Sequence, residues 1–140
     1  MHQRGFTLIE LVVALGLFAL VSLVAAPNLA RIFGQLRAAE DARRIALALV
    51  SARDEAIRLR TDVRVSFTGA EYSVDIDADG TVEQSAILDS ASGWAAAPPA
   101  AIVFNGLGLA RGINGAATLS ILNRGAQSNI TVNVNGTVTL

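Results

Sequence analysis

The stretch RGFTLIELVVALGLFALVSLVAAPN, from Arg4 to Asn28, is apolar almost throughout and decides what kind of molecule the chain forms. No residue from Leu11 to Ala30 is charged. As a helix rising about 1.5 Å per residue, this segment spans the roughly 30 Å hydrocarbon core of a bilayer. The sequence therefore predicts a membrane helix. Glu10 at its start needs a reason, because an ionised carboxylate at bilayer depth is costly.

A cleaved secretory signal is the alternative interpretation of this segment. Such a signal has a basic start, a shorter apolar run and then an A-x-A-like cleavage site. The segment LVAAPN, residues Leu23–Asn28, could serve as that cleavage site. Two features oppose it, since the helical pattern continues past Asn28 and the basic leader MHQRG is short. Arg4 before the apolar run agrees with the positive-inside tendency, which leaves the C-terminal bulk of the chain outside.

The start of the chain also carries a family resemblance. Gly5-Phe6-Thr7-Leu8-Ile9-Glu10, after a short basic leader and before an apolar helix with Pro27, resembles the signature of type IV pilins and pseudopilins. The resemblance is close up to Ala30, and the remainder resembles the GspH/FimT branch of minor pilin-like proteins in pattern only. It implies that a prepilin peptidase cuts after Gly5 and methylates the new N-terminus, Phe6.

The resemblance also implies a role for Glu10. In assembled pili this glutamate, the fifth residue after the cut, meets the N-terminal amine of a neighbouring subunit. An amine and a carboxylate that are desolvated together cost far less than either one alone. The simpler alternative is that Glu10 lies close enough to the lipid headgroups to stay hydrated.

The family further implies a fold and a location. The expected class is α+β, with a long N-terminal helix packed on an antiparallel β-sheet domain. Its expected divisions are a leader at 1–5, a transmembrane and assembly helix at 6–30, an amphipathic helix at 31–61 and a periplasmic β-sheet domain at 62–140. The implied partners are other pilins or pseudopilins, the prepilin peptidase and an assembly platform in the bacterial inner membrane, which the chain crosses once before it joins a pseudopilus.

Beyond the apolar segment the pattern remains helical. Pro27 predicts a bend near residues 23–27, and the alternative is that it begins a separate helix as its first residue. An apolar stripe then recurs at alternating steps of four and three, formed by Ala38, Ala42, Ile45, Leu49, Ala52, Ala56 and Leu59. The opposite face pairs Glu40 with Arg44 and Asp54 with Arg58 at the favourable i,i+4 spacing. We interpret this face as a solvated surface, with contacts to other subunits as the alternative.

After Asp62 the period changes to two, which indicates strands. The first pair is Val63–Phe67 and Tyr72–Ile76, with Gly69 in the turn. Four further runs are strand-like: Ala101–Phe104, Thr118–Leu122, Ile130–Val134 and Thr137–Leu140. The last two are joined by Asn135-Gly136, the strongest hairpin signal in the chain. The Gly-, Pro- and Ala-rich stretches SASGWAAAPPA and NGLGLARGINGAA are expected as surface loops, with Trp94 covering one edge of the core.

One acidic cluster resembles half of a calcium loop. Asp75-x-Asp77-x-Asp79-Gly80 places alternate carboxylates before a glycine, as in the first half of such a loop. The bidentate acid expected at the twelfth position is missing, because that position is Ala86. The preferred interpretation is a solvent-facing strand end and turn with no metal or other cofactor, and weak calcium binding is the alternative.

Composition excludes several classes of function. The chain has no cysteine, so it has no disulfide and no thiolate metal site. His2, in the expected leader, is its single histidine, which leaves a histidine-based catalytic site without a candidate. Basic residues are all arginine, and only two of the eleven lie beyond residue 65, among six acids. Nucleic-acid binding needs clustered basic side chains, so this distribution argues against it.

Two functions remain, and neither is enzymatic. The first is a minor pseudopilin of a type II secretion system, a structural subunit of the short periplasmic filament that drives protein export. The second is a minor type IV pilin of the FimT or FimU kind, which serves pilus assembly or DNA uptake. The arginine-containing motif of the FimT kind has no counterpart here, because the comparable turn reads Asn135-Gly136-Thr137-Val138-Thr139. We therefore prefer the first.

Overall fold

The computed structural model describes residues 7–140, with only the backbone of Val24. Within this range the chain forms one helix, α1 (Leu8–Leu59), followed by strands. The strands are β1 (Val63–Thr68), β2 (Glu71–Ile76), β3 (Gln84–Ile87), β4 (Ser92–Trp94), β5 (Ala101–Phe104), β6 (Ala110–Arg111), β7 (Ala116–Asn123), β8 (Ala126–Asn133) and β9 (Val138–Thr139). The expected α+β class is confirmed.

Helix α1 is a single element of 52 residues, about 78 Å long. Thr7 caps its start, where the Thr7 hydroxyl accepts a hydrogen bond from the backbone N–H of Glu10 at 3.3 Å. Arg60 ends it in the left-handed conformation, with φ of 56° and its N–H donating to the Ala56 carbonyl. Pro27 lies inside this helix. The alternative of a separate helix beginning at Pro27 was therefore wrong, and the bend stays a prediction.

The predicted apolar stripe packs against the sheets along most of its length. Ala38, Ala42, Ile45, Leu49, Ala52 and Ala56 are buried. Leu59, which continues the stripe by spacing, is 42% exposed because it lies in the last turn of the helix. Periodicity thus predicted which face of α1 packs on the sheets. It did not predict which residue of that face is the last to be buried, because this depends on how far the sheets extend along the helix.

Sheet A has five antiparallel strands in the order β3-β2-β1-β5-β6. The predicted hairpin of β1 and β2 forms its centre, with Val65 opposite Val74. Alternate residues of β1 (Val63, Val65 and Phe67) face the core, which explains the period of two in the sequence. Strands β3 and β6 lie outside the runs that the sequence predicted.

Sheet B has four antiparallel strands in the order β4-β7-β8-β9. Strands β7 and β8 form a hairpin of eight residue pairs joined by Arg124-Gly125, where both residues have positive φ (48° and 82°). This conformation is a type I′ turn, which matches the twist of the flanking strands. The predicted hairpin at Asn135-Gly136 is confirmed by the pairing of β8 with β9.

Trp94 joins the two sheets at one side of the core. It ends β4 at the edge of sheet B, and its ring meets that of Phe67 in sheet A edge to face, with centroids 5.6 Å apart. The indole N–H donates to the Gly69 carbonyl at 2.6 Å. The stretch around Trp94 is therefore a short strand rather than the expected loop, and Trp94 does cover an edge of the core.

Two glycine turns meet on the far part of α1. Arg53 on the helix donates from Nε to the carbonyl of Gly108 at 3.2 Å. Gly136, in the turn between β8 and β9, lies so close to that carbonyl and to Arg53 that it has no room for a Cβ atom. This contact ties both turns to the helix.

Candidate assembly helix

The N-terminal half of α1 projects from the sheets with its apolar side chains in the open. The chain from Leu8 to Ala30 is about 35 Å long as a helix. Its large apolar side chains are exposed, for example Leu8 (81%), Phe18 (71%) and Leu23 (78%). A contiguous apolar surface of this size marks a site of interaction with a membrane or with other proteins.

By length and composition, α1 is the one helix among residues 7–140 that is apolar enough to cross a membrane. The uncharged run from Leu11 to Ala30 lies within its exposed half. This arrangement suits a membrane anchor joined to a folded domain, and it suits packing against other helices equally well.

Glu10 is the single charged residue between Thr7 and Ala30. It lies exposed in the first turn of α1, three residues after the capping Thr7, at the spacing of a capping box. A carboxylate there is favoured by the partial positive charge of the helix start. The local structure thus holds an acid at the tip of the projecting helix. Gly5 and Phe6, the expected cleavage and methylation positions, lie outside the described residues.

Apolar exposure extends from the end of the uncharged run to the part of α1 that carries the sheets. Leu29, Ile32, Phe33 and Leu36 are each at least half exposed. Further along, Leu47 and Val50 line a shallow groove with Val138 and Leu140 near β9. The sequence prediction of a charged outer face missed this second apolar strip, although the spacing of Leu29, Ile32, Phe33 and Leu36 was a helical signal for it.

The charged face of α1 contains the predicted pair of Glu40 and Arg44, which form an ion pair. The second predicted pair was wrong, because Arg58 binds Glu55 at i+3 and not Asp54 at i+4. Arg58 donates from two nitrogens to the two Glu55 oxygens, and this fork-like geometry favours the nearer acid. The hydrogen bond from Arg58 lowers the pKa of Glu55.

Two acids near the end of β2, Asp75 and Asp79, accept hydrogen bonds from the turn that follows this strand. Asp75 is buried, accepts a hydrogen bond from the Gly80 N–H at 3.1 Å and lies 3.5 Å from the Arg64 guanidinium. Asp79 accepts from the Thr81 N–H at 2.7 Å, which lowers its pKa.

Asp77 is exposed, in the left-handed conformation. Among residues 7–140 no group of three or more His, Cys, Asp or Glu side chains converges in a way that would hold a metal ion. The absence of a metal or other cofactor stays a prediction, and weak calcium binding by Asp75, Asp77 and Asp79 stays its untested alternative.

A glycine that the sequence analysis left out marks the start of the packed part of α1. Gly34 is buried against the tip of the β7–β8 hairpin, and a Cβ atom there would lie 2.9 Å from the Asn123 carbonyl oxygen. With Val24 left aside, no side chain from Leu8 to Phe33 is buried. A lone glycine within a helical pattern was the available signal, since it often marks a close approach of another segment.

A long helix with an exposed apolar half, packed by its other half on antiparallel sheets, defines a type IV pilin-like protein. Residues 41–137 match the family model described as type II transport protein GspH. Since this match spans most of the chain, the protein belongs to the GspH family. Residues 1–26 match the prokaryotic N-terminal methylation motif. The suspected membership of the pilin and pseudopilin superfamily is thereby confirmed.

Solved structures agree with this fold. The type IV minor pilin FimU of Pseudomonas aeruginosa is similar with a TM-score of 0.61 and 17% identity, over 74% of this chain and 87% of that one. The minor pseudopilin EpsH from the type 2 secretion system of Vibrio cholerae is similar with a TM-score of 0.58 and 20% identity, over 74% of this chain and 95% of that one. No curated protein matches the sequence. Both solved relatives are structural pilin-type subunits.

Proposed function

We propose that the protein is a minor pseudopilin, a structural subunit of the periplasmic pseudopilus of a type II secretion system, and that it takes part in protein export. The observation that carries this proposal is the projecting helix, whose apolar side chains are exposed and whose one acid, Glu10, lies at its tip. The GspH family match supports the secretion role over a pilus role.

Processing at the N-terminus prepares this helix for assembly. A prepilin peptidase removes the leader 1–5 after Gly5 and methylates Phe6, as the N-terminal methylation motif supports. Before assembly, residues 6–30 hold the chain in the inner membrane by a single crossing. The amphipathic part, 31–61, and the sheet domain, 62–140, then lie in the periplasm.

Assembly brings Glu10 to the N-terminal amine of a neighbouring pseudopilin. Lipid supplies no hydrophobic drive between helices, so a charge pair between subunits selects the register in which they pack. An unpartnered carboxylate left inside the filament would be strongly unfavourable. The assembly platform of the inner membrane is the third expected partner, after the peptidase and the other subunits.

A minor type IV pilin is the second candidate, supported by the likeness to FimU. That likeness is as strong as the likeness to EpsH, so the fold alone favours neither role. DNA uptake is the weaker part of this candidate. The turn at Asn135-Gly136 has no arginine, and Gly136 is packed against Gly108 and Arg53 instead of standing free.

The test replaces Glu10 with alanine in the source organism. We expect Glu10→Ala to insert into the membrane normally, to enter filaments poorly and to reduce export of secreted proteins. Membrane fractionation, cross-linking of sheared filaments and assay of the culture medium measure these three steps. The matched control is Glu71→Ala, which removes an exposed carboxylate from sheet A and should leave all three unchanged.

Normal incorporation and export by Glu10→Ala would contradict the assembly role. A strain that lacks the gene separates the two candidates, because loss of exported proteins supports the secretion system. Loss of pili or of DNA uptake with normal export would instead establish the minor pilin.

A further inference from the structure

The tip of the β7–β8 hairpin lies against α1 close to the end of the uncharged run. The Cβ atom of Arg124 would be 3.2 Å from a Cβ atom built on Gly34, so the tip lies beside that turn of the helix. Gly34 is four residues past Ala30, which is about 6 Å along the helix axis. The headgroup layer on each side of a bilayer is roughly 5 to 7 Å thick. The Arg124 backbone therefore lies at the outer edge of that layer when Leu11–Ala30 fills the hydrocarbon core.

Arginines surround this point. Arg31 lies three residues before Gly34, and Arg37 lies three residues after it. Around the helix axis, each arginine is about 60° from Gly34, on opposite sides, so the two flank the hairpin tip. Arg31, Arg37 and Arg124 are exposed. The acid that faces them is Asp89, which forms an ion pair with Arg37 at 2.7 Å and also interacts with the charge of Arg124. Three arginines against one carboxylate leave two positive charges in excess.

The next turn of α1 adds no opposing charge. Glu40 forms an ion pair with Arg44, and the buried Asp41 accepts a hydrogen bond from the Asp89 N–H at 3.3 Å. The positive charge of Arg43, which is exposed on that turn, offsets the negative charge of Asp41. The excess therefore stays at the end of the domain that lies nearest the uncharged run. We call Arg31, Arg37 and Arg124 the arginine rim.

We propose that the arginine rim binds the headgroups of anionic lipids, so that the sheet domain rests on the bilayer before the subunit is assembled. This inference rests on the membrane placement proposed above. Arginine side chains are long enough to reach from the edge of the headgroup layer to the phosphates, and their guanidinium groups bind phosphate through two hydrogen bonds. The type I′ turn holds Arg124 at the tip of the hairpin. The contact of this tip with Gly34 fixes the position of Arg124 along the helix axis.

The expected strength follows from charge alone. A basic residue near an anionic membrane surface strengthens binding by about fivefold, and salt weakens the effect within a Debye length. Removing Arg31 and Arg124 together should therefore lower the domain's preference for an anionic surface by roughly 25-fold.

The test measures how close the hairpin tip lies to the lipid headgroups. The natural chain has no cysteine, so Gln127→Cys places one fluorescent label beside the tip and Asn114→Cys places one at the other end of the hairpin. The full chain is reconstituted into phosphatidylcholine vesicles, with or without phosphatidylglycerol, that carry a headgroup quencher. We expect phosphatidylglycerol to increase quenching at position 127 far more than at position 114, and added salt to reverse the increase.

Variants then assign the effect to the rim. Arg124→Asn keeps a residue that tolerates the left-handed conformation, and with Arg31→Gln it should abolish the increase. Arg111→Asn removes an arginine whose partner, Asp62, lies near the far end of α1, and it should behave like the parent chain. Quenching that is equal in both lipids, or that survives loss of Arg31 and Arg124, would overturn the inference. Quenching that follows protein density instead of lipid charge would overturn it in favour of contact between copies.

Flotation of the vesicles separates this inference from the proposed membrane placement. A chain that fails to float with either lipid contradicts the membrane placement, and the arginine rim fails with it. A chain that floats equally with both, yet shows no lipid-dependent quenching, contradicts the arginine rim alone.

Discussion

Gly34 is the residue at which α1 passes from exposed to packed, and it has no room for a side chain. We expect Gly34→Leu to push the β7–β8 tip away from the helix and to lower the free energy of unfolding by about 1 to 3 kcal/mol, the usual cost of overpacking. Thermal unfolding of the full chain in detergent, followed by circular dichroism, measures the change.

Gly16→Leu is the matched control for this substitution. Both glycines are in α1, but a Cβ atom at Gly16 would meet nothing within 4 Å. The control should therefore unfold at the parent temperature. Equal stability of Gly34→Leu and Gly16→Leu would show that the packing of the hairpin tip on α1 does not require a glycine at position 34.

Asp89 makes stability depend on pH. The hydrogen bond from the Ala91 N–H and the charges of Arg37 and Arg124 lower the pKa of Asp89 in the folded chain. A lowered pKa means that the carboxylate stabilises the fold above its unfolded pKa of about 4 and loses this effect as the pH falls through the folded pKa.

We therefore expect Asp89→Asn to be less stable than the parent chain at pH 7, with a difference that shrinks on acidification below about pH 4. Melting temperatures of both chains across this range test the sign. A difference that grows on acidification would contradict the assigned role of Asp89.

At the residue scale, sequence reasoning found charges more readily than contacts. Glu10 drew notice because it is the one acid in an apolar run, a fact that needs no coordinates. Gly34 and the partners of Asp75 depend on segments that are distant in sequence, such as Asn123 and Arg64. The choice of Glu55 by Arg58 depends on rotamers, which spacing leaves open.

Among the elements, the contact of the Gly108 and Gly136 turns with Arg53 fastens both sheets to the helix. An alanine at Gly136 would carry the strain of φ near 80° and would also collide with the Gly108 carbonyl. We expect Gly136→Ala to cost about 2 to 4 kcal/mol, the sum of backbone strain and displacement of a packed neighbour. Chemical denaturation with a constant m-value measures this cost.

Gly115→Ala isolates the packing part of that cost. Gly115 has nearly the same φ, 79°, but has open space where a Cβ atom would lie. Gly115→Ala should therefore lower the free energy of unfolding only by the backbone strain, about 1 to 2 kcal/mol. If the two substitutions cost the same, the contact with Gly108 contributes nothing to stability.

Hairpins show why some elements were predictable and others were not. Asn135-Gly136 is a strong turn signal because both residues adopt positive φ easily, and the hairpin at that site is confirmed. Arg124-Gly125 joins a longer hairpin, yet arginine seldom adopts φ of 48°, so the sequence carried no such signal. Flanking strand pairing, rather than local preference, holds Arg124 in this conformation.

In the molecule as a whole, the buried apolar core begins after the uncharged run has ended. All buried apolar side chains among the described residues lie at Ala38 or later. A chain without residues 1–30 should therefore be soluble, fold cooperatively and keep the native circular dichroism of the sheets. Size-exclusion chromatography and thermal unfolding test this expectation. An aggregated or unfolded product would show that the projecting half of α1 contributes to the fold.

The α+β class followed from the sequence, but the division into two sheets did not. A helical stripe followed by alternating strands required a sheet packed on a helix, and both are present. Pairings such as β1 with β5 and β4 with β7 join segments about 30 residues or more apart along the chain, and alternation along each strand leaves them open. The short strands β4 and β6 also lack enough residues to show a period.

The position of Trp94 gives the molecule an optical reporter of its own. It is the one tryptophan of the chain, and it touches Phe67 across the boundary between the two sheets. Separation of the sheets would expose the indole to water and move its fluorescence emission to longer wavelength. The opening of this boundary, during assembly or unfolding, can therefore be followed in unlabelled protein. All of the tryptophan fluorescence then comes from this one position.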